Sequence, residues 1–404
     1  MRILLIDQYA GSLRMGMEYR PFCLAREWEK MGDQVLVVSG SYSHLRRKNP
    51  ASGLLREDGV SYRILSTPFY QGNGWRRAAN VGRFVWELSR NEGELAAFSP
   101  DAVICSSTHP FDFRVGKHLA GRCGAALVFE LHDIWPLSLT ELYGFSPDGP
   151  LMRLIAREER RAFEESDGVV SLLPDLSLYL QQQKIHARRL TCIPNGAVCA
   201  SEGGKRAPAR LVRILRSVRE GRRGLVLYAG GFARANAVDR FVAHARSLPD
   251  VGFAAIGEGR EKADLLTDCP ENLCLLPGVS PDLLGDLLRR ADLLWIGTRD
   301  LPFYQYGISM NKLFDYMAAG RPVVFETPCV KNPVSDCGCG ITVSPSDKIA
   351  VRRAIEELLQ LSPAERGIIG ERGRRAVAGR YSYPALAKRY RVFLEELLDV
   401  KRTR

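Results

Sequence analysis

Residues 306–320 of this 404-residue chain, Tyr-Gly-Ile-Ser-Met-Asn-Lys-Leu-Phe-Asp-Tyr-Met-Ala-Ala-Gly, are its richest stretch of chemistry. Gly307, Ile308 and Ser309 offer backbone N–H groups and Lys312 a point charge for phosphate. Asp315, one helical turn on, is a bidentate acceptor for two vicinal hydroxyls. Phe314 and Met317 read as core. The loop Gly230-Gly231-Phe232-Ala233-Arg234-Ala235-Asn236 joins a strand pattern to a helix pattern, and a guanidinium beside a helix N-terminus makes a diphosphate clamp. In the first half, residues 7–20 form a loop rich in glycine, but its spacing is not GxGxxG, which disfavours a nicotinamide dinucleotide. Polar groups also gather at Ser106-Ser107-Thr108-His109-Pro110 and around His132-Asp133. A carboxylate beside an imidazole binds hydroxyls or moves protons. Satisfied structural hydrogen bonds account for these residues equally well.

The elements that would position these groups alternate. Short runs rich in Val, Ile and Leu at 2–6, 34–38, 60–65, 102–105, 125–131, 168–172 and 190–193 read as strands. Helical patterns lie near 19–31, 75–97, 113–123, 150–165 and 175–184. The rhythm resumes with strands at 225–229, 252–256, 272–276, 292–296 and 322–325 and helices near 236–247, 260–267, 281–290 and 310–319. Leu283, Leu284, Leu287 and Leu288 share one stripe of the third of these helices. Alternation of this kind predicts parallel sheets covered on both faces, here two Rossmann-like doubly wound α/β domains facing across a cleft. The composition shifts over 195–224, where a linker is expected. The predicted domains are 1–200 and 201–382, followed by helices near 347–361, 363–378 and 383–402, the last of which (383–404) is a candidate to pack back on the first domain.

A composition of 46% hydrophobic and 25% charged residues excludes a disordered or fibrous chain. No apolar run reaches the roughly 20 residues of a membrane span, and the start is not a signal peptide, so a cytoplasmic address is expected. The ten cysteines lack paired CxxC spacing and read as reduced core residues, with Cys337-Gly-Cys339 the one close pair; no metal is expected. The net charge of +11 lies mostly in the second half, where Lys and Arg number 33 against 24 Asp and Glu, compared with 24 against 22 in residues 1–200. No motif interleaves the cations with aromatics, which disfavours nucleic acid. In 75–90, Ala78, Val81, Val85 and Leu88 form a stripe predicted to bury. Arg76, Arg83 and Arg90 lie opposite, with Trp86 at the edge, a face suited to anionic headgroups or simply to solvent. Residues 44–48 are candidates to extend that surface.

The loop with Gly16 and Tyr19-Arg20, Ile193-Pro194-Asn195-Gly196, Ile256-Gly257-Glu258-Gly259, the stretch 307–320 and Gly338-Cys339-Gly340-Ile341 follow in an order that resembles the GT-B glycosyltransferases, family 4, in a bacterial branch that builds cell-surface polysaccharides. The resemblance spans essentially the whole chain. It implies a nucleotide-sugar donor, UDP rather than GDP, held mainly by the second domain. It further implies a glycan or polyprenyl-diphosphate-linked acceptor held by the first, with transfer that retains configuration and needs no metal or other cofactor. Donor contacts then fall to Gly16, Gly231, Gly257, Glu258, Gly307, Ile308, Ser309, Asn311 and Asp315. Catalytic roles fall to His132, Asp133, Arg234 and Lys312, and acceptor contacts to Tyr19, Arg20 and His109. The family signature of two glutamates separated by seven intervening residues falls on Gly307 and Asp315, and the usual Arg and Lys of the strand–helix loop fall on Gly231 and Asn236. Two other functions fit the same architecture: a nucleotide-sugar 2-epimerase, and a binding or scaffold protein without turnover.

Overall fold

The computed structural model describes residues 1–16, 18–44, 46–72, 74–197, 205–259, 261–267 and 269–403. Met17, Leu45, Cys199 and part of the expected linker, 198–204, lie outside the described residues. The chain forms two compact units, one of residues 1–194 with 383–404, the other of residues 195–382. The chain thus passes between units at Pro194/Asn195 and Ser382/Tyr383.

The first unit carries strands β1 (Arg2–Ile6), β2 (Gln34–Gly40), β3 (Gly53–Glu57), β4 (Val60–Leu65), β5 (Ala102–Cys105), β6 (Ala126–Leu131), β7 (Gly168–Ser171) and β8 (Leu190–Cys192). They assemble in the order β3-β4-β2-β1-β5-β6-β7-β8. All pairs are parallel except β3 with β4, a hairpin closed at Asp58-Gly59, whose positive φ angles of 47° and 88° suit a tight two-residue turn. Sequence periodicity alone missed β3, because it is an edge strand with Leu54 turned to solvent. The strands of the sheet's centre, β1, β5 and β6, are buried along almost their whole length, which explains their continuous apolar runs.

The helix Tyr383–Arg402 packs on this first unit. The Trp28 indole, fully buried, donates to the Ala387 carbonyl at 3.0 Å and meets the Tyr390 ring edge-on at 5.2 Å. Arg391 pairs with buried Asp33 at 2.8 Å.

The second unit holds β9 (Leu225–Ala229), β10 (Gly252–Ile256), β11 (Leu273–Leu276), β12 (Leu293–Gly297), β13 (Val323–Glu326) and β14 (Gly340–Val343) in the order β11-β10-β9-β12-β13-β14, all parallel. Counted within the unit this is 3-2-1-4-5-6, the Rossmann order. Its core gathers Tyr228, Phe241, Phe253 and Trp295, with Phe241 and Trp295 rings 5.0 Å apart. The expected linker contains a helix, Ala209–Arg219, that belongs to this unit; Leu215 is buried and Arg219 pairs with Asp292 at 2.8 Å. Of the predicted leucine stripe, Leu287 and Leu288 are fully buried, whereas Leu283 and Leu284 are only half-buried.

Candidate functional site

In the second unit the strand order reverses between β9 and β12, and ligands of open parallel sheets bind where loops leave the strand C-termini at such a point. The loop after β9 holds Gly231 and Arg234, both exposed, and among the described residues no group pairs with the Arg234 guanidinium. The loop after β12 leads through Gly307 into the helix Asn311–Ala318, whose N-terminus no side chain caps. Tyr316 fixes that helix to the end of β9, its hydroxyl donating to the Ala229 carbonyl at 3.0 Å. One turn earlier, Lys312 thereby reaches the loop after β9. Its Nζ donates to Asn236 Oδ1 at 2.6 Å and to the Tyr228 hydroxyl at 3.3 Å, 5.0 Å from the centre of the Tyr228 ring. Burial with no carboxylate to offset it pushes the Lys312 ammonium down to about 7.

The neighbours of Lys312 are equally specific. Asn195 binds both faces of Ser309, donating from its backbone N–H to Oγ at 2.8 Å and from its side chain to the carbonyl at 2.6 Å. The Ser309 hydroxyl keeps its own proton to donate. Asn311 Oδ1 is buried and, among the described residues, accepts no hydrogen bond, an acceptor that a ligand hydroxyl would satisfy. Ile308 and Asp315 are nearly buried beside them. Gly307 has φ 115° and ψ 172°, a conformation that L side chains avoid. The signature position therefore lacks more than a carboxylate: its backbone adopts a conformation that favours glycine. Gly257 is equally constrained, since a Cβ there would lie 1.9 Å from the Gly230 carbonyl oxygen. Next to it Glu258, exposed, accepts from Lys262 Nζ at 3.0 Å and from the Gly278 N–H at 3.1 Å. Those bonds hold its carboxyl below the ordinary range.

In the first unit the corresponding reversal lies between β1 and β5, and a buried polar network fills the strand ends. Arg20, 1% exposed, grips Glu130 with two nitrogens at 3.1 and 2.9 Å and donates to the Ile193 and Pro194 carbonyls. Glu130 accepts in addition from Ser106 Oγ at 2.7 Å and lies 3.2 Å from His132 Nε2, which is 2.9 Å from the same hydroxyl. Burial would raise Glu130, but the Arg20 charge, with the His132 bond, holds it far below the carboxylate range. Burial opposes charge on His132 as well, yet the bond to Glu130 and its charge, followed by Asp7 and Glu18, raise the imidazole above its ordinary value. Asp7, at the end of β1, is pushed up to about 7 by burial.

This network corrects several expectations. The carboxylate partner of His132 is Glu130 and not Asp133. Residues two apart at a strand end share a face while the next one turns away, and Asp133 bonds the Ser138 hydroxyl and the Ile134 N–H. Arg20 is engaged beneath the surface, so direct contact with an acceptor gives way to support of Glu130. His109 is likewise buried, bonded to Gln8, and burial pushes it down to about 3, so it is a neutral packing residue. Gln8 in turn accepts from Ser39 and donates to Asn80 at 2.5 Å. Tyr19 is half-buried at the start of the helix Tyr19–Lys30. Gly16, buried, donates to Ser12 O at 2.8 Å. Sequence reasoning placed Ser106 and Glu130 in polar stretches at strand ends without giving either a role of its own, and gave none to Asp7. The period-two spacing of Glu130 and His132 was the one available signal.

The helix Trp75–Arg90 buries Val81 and Leu88 of the predicted stripe together with Asn80 and Phe84, while Val85 is half-buried and Ala78 is exposed. Asn80 replaces Ala78 on the inner face because it bridges Gln8 and the Pro68 carbonyl. Arg76, Arg83, Arg90 and Trp86 are exposed as expected, with Trp75 76% exposed beside them. Arg83 and Arg90 flank the Trp86 ring at 4.2 and 4.8 Å. Arg46 does not extend this surface: it is buried and donates to the Gly40 and Ala10 carbonyls. Cys337 and Cys339 are free thiols, raised by burial. Among the described residues no three His, Cys, Asp or Glu gather as a metal site, and no helix is long and apolar enough to cross a membrane.

Two doubly wound units, each with polar groups collected at its strand reversal, define the architecture of the GT-B glycosyltransferases. Solved structures share it along the whole chain. Sucrose-phosphate synthase from Thermosynechococcus elongatus superposes with a TM-score of 0.77 at 16% identity, covering 99% of this chain and 100% of that one. WaaG, a glycosyltransferase involved in lipopolysaccharide biosynthesis, gives 0.66 at 16%, covering 99% of each chain. Anabaena HepE in complex with UDP-glucose gives 0.64 at 15%, covering 98% and 100%. No curated protein matches. The family described as glycosyl transferase 4-like domain matches residues 16–196, and that of glycosyl transferases group 1 matches 223–361. The chain belongs to the GT-B glycosyltransferases and is an enzyme of that class.

Proposed function

We propose that this enzyme transfers a sugar, with retention of configuration, from a UDP-sugar to a glycan or polyprenyl-diphosphate-linked acceptor in cell-surface polysaccharide synthesis. The observation that carries the donor half is Lys312: a buried amine with no counter-ion among the described residues, on the first turn of an uncapped helix at the strand reversal of the second unit. An anion completes such a site. The UDP and UDP-glucose in the HepE structures, and the involvement of WaaG in lipopolysaccharide biosynthesis, support the same reading.

In this reading Lys312, Arg234 and the N–H groups of 308–312 hold the diphosphate, Ser309 and Asn311 the sugar hydroxyls, Asp315 the ribose, and Gly257 and Glu258 border the base. Cleavage of the sugar–diphosphate bond develops negative charge on the leaving oxygen, which fixed cations and N–H dipoles stabilise. The leaving phosphate takes the acceptor proton. The first unit supplies the acceptor side, where His132, charged through Glu130, orients the reacting hydroxyl with Tyr19 at the rim. A thermal-shift screen tests the donor. UDP and UDP-sugars are expected to raise the melting temperature, since a ligand of the folded state stabilises by RT ln(1 + [L]/Kd). A response to GDP-sugars alone would refute the base assignment.

The cytoplasmic membrane face is the proposed place of work. The exposed Arg76, Arg83 and Arg90 with Trp75 and Trp86 combine cations for anionic headgroups with rings suited to the interface. Sedimentation with phosphatidylglycerol vesicles at low salt is expected, weakened severalfold in an Arg83→Glu/Arg90→Glu variant. Equal sedimentation of the two proteins would remove this surface from the reading.

A further inference from the structure

The loop after β9 has lost the two cations that the family resemblance places there, at Gly231 and Asn236, and the geometry shows what Asn236 does instead. Its side chain bridges two elements. Nδ2 donates to the Gly231 carbonyl at 2.8 Å, and Oδ1 accepts from Lys312 Nζ at 2.6 Å. The Tyr228 hydroxyl, 3.3 Å from the same Nζ, also donates to the Gly231 carbonyl at 2.8 Å. The amine is thus held by two neutral oxygens whose own protons are anchored on one carbonyl. Space is short on the remaining side, where a Cβ on Gly230 would come within 3.2 Å of Nζ. The groups facing the amine are Tyr228 from β9 and Asn236 from the loop; Asp315 stands one turn away on its own helix and Arg234 lies exposed on the loop. Burial is what lowers the amine.

Resting on the donor reading above, we propose that Asn236 is a positioning residue that holds Lys312 as the relocated cation of the diphosphate site, and that diphosphate binding draws one proton from solvent onto the Lys312 amine. A neutral carboxamide can hold either the amine or the ammonium, since Oδ1 accepts from both. A second cation at 236 would repel Lys312, so asparagine and the shifted lysine belong together. Nitrogen and proton balance simply: bulk water or buffer gives up the proton, and the phosphate oxygens accept the hydrogen bonds of the resulting ammonium.

Calorimetric titration of the full chain with UDP at pH 7.5, in two buffers of different ionisation enthalpy, reads the proton count directly. Wild type is expected to take up between about half and one proton per UDP. Lys312→Ala should bind UDP roughly a hundredfold more weakly with no uptake, and Asn236→Ala roughly tenfold more weakly. The decisive variant is the charge relocation Asn236→Lys/Lys312→Ala, expected to regain about tenfold over Lys312→Ala. A purely structural role for Asn236 gives no such recovery. UDP binding by wild type without proton uptake, or a relocated variant no better than Lys312→Ala, would overturn this inference alone. A wild type that binds no UDP would overturn the donor reading, and this inference with it.

Discussion

Lys312→Ala is expected to lower the turnover of sugar transfer by about 100- to 1000-fold, the cost of removing one preorganised donor from a site of developing negative charge, roughly 2.7–4 kcal/mol. The acceptor KM should hardly move, because the acceptor side belongs to the other unit in this reading. Steady-state kinetics with saturating acceptor measure this, and near-normal turnover would refute the role of Lys312. The same substitution should stabilise the ligand-free protein, with a definite pH dependence. The folded amine titrates near 7 against 10.5 in an ordinary lysine, so the unfolded chain binds the extra proton between those values. Wild-type stability therefore gains as pH rises from about 7 to 10.5. The advantage of Lys312→Ala is full at pH 7 and below and shrinks to nothing near 10.5. The site sacrifices stability when empty, as is common where function needs an unpaired charge.

The second large effect is expected at Glu130. In Glu130→Gln the bond and charge that raise His132 most are gone, leaving burial opposed only by Asp7 and Glu18, so the imidazole is lowered. If transfer uses the charged ring, the alkaline limb of kcat/KM moves to lower pH. Arg20 would be left buried with no carboxylate, at a cost of about 3–5 kcal/mol, so loss of stability accompanies this variant. Ser106→Ala separates the two effects, since it removes hydrogen bonds to Glu130 and His132 while leaving both charges in place. Its pH profile should match wild type. An unshifted limb in a folded Glu130→Gln protein would mean that His132 does not act as a cation.

What the sequence reveals of this molecule follows from what each feature depends on. Buried parallel strands such as β9 and β12 must be apolar on both faces, so they stand out as continuous runs. The loops between them are legible for the same reason, and with them Arg234 and the 307–320 stretch. Arg20 and His109 are different. Their partners Glu130 and Gln8 lie 110 and 101 residues away, so nothing local distinguishes a buried ion pair from a surface contact. The helix Ala209–Arg219 was hidden by Arg210, Arg213, Arg216 and Arg219, whose one-turn spacing is a solvent face that reads as a charged linker. On the helix Trp75–Arg90 the buried Asn80 joins Val81, Phe84 and Leu88 on the inner face, where the apolar pattern had pointed to Ala78. A polar residue on an inner face is visible only once its hydrogen-bond partners are known.

The packing of residues 383–402 against Trp28 has a consequence for the order of assembly. Residues 195–382 are contiguous and can collapse as soon as they are synthesised, while the earlier 194 residues still lack a wall of their core. Domains generally complete themselves in the order of translation; here the first one begun is the last one closed. Until the final helix arrives, the Trp28 indole N–H has no carbonyl to bond and the apolar face around it stays open. The nascent chain is therefore expected to pass through a stage in which its second unit is whole and its first is unsealed, a stage open to capture by chaperones.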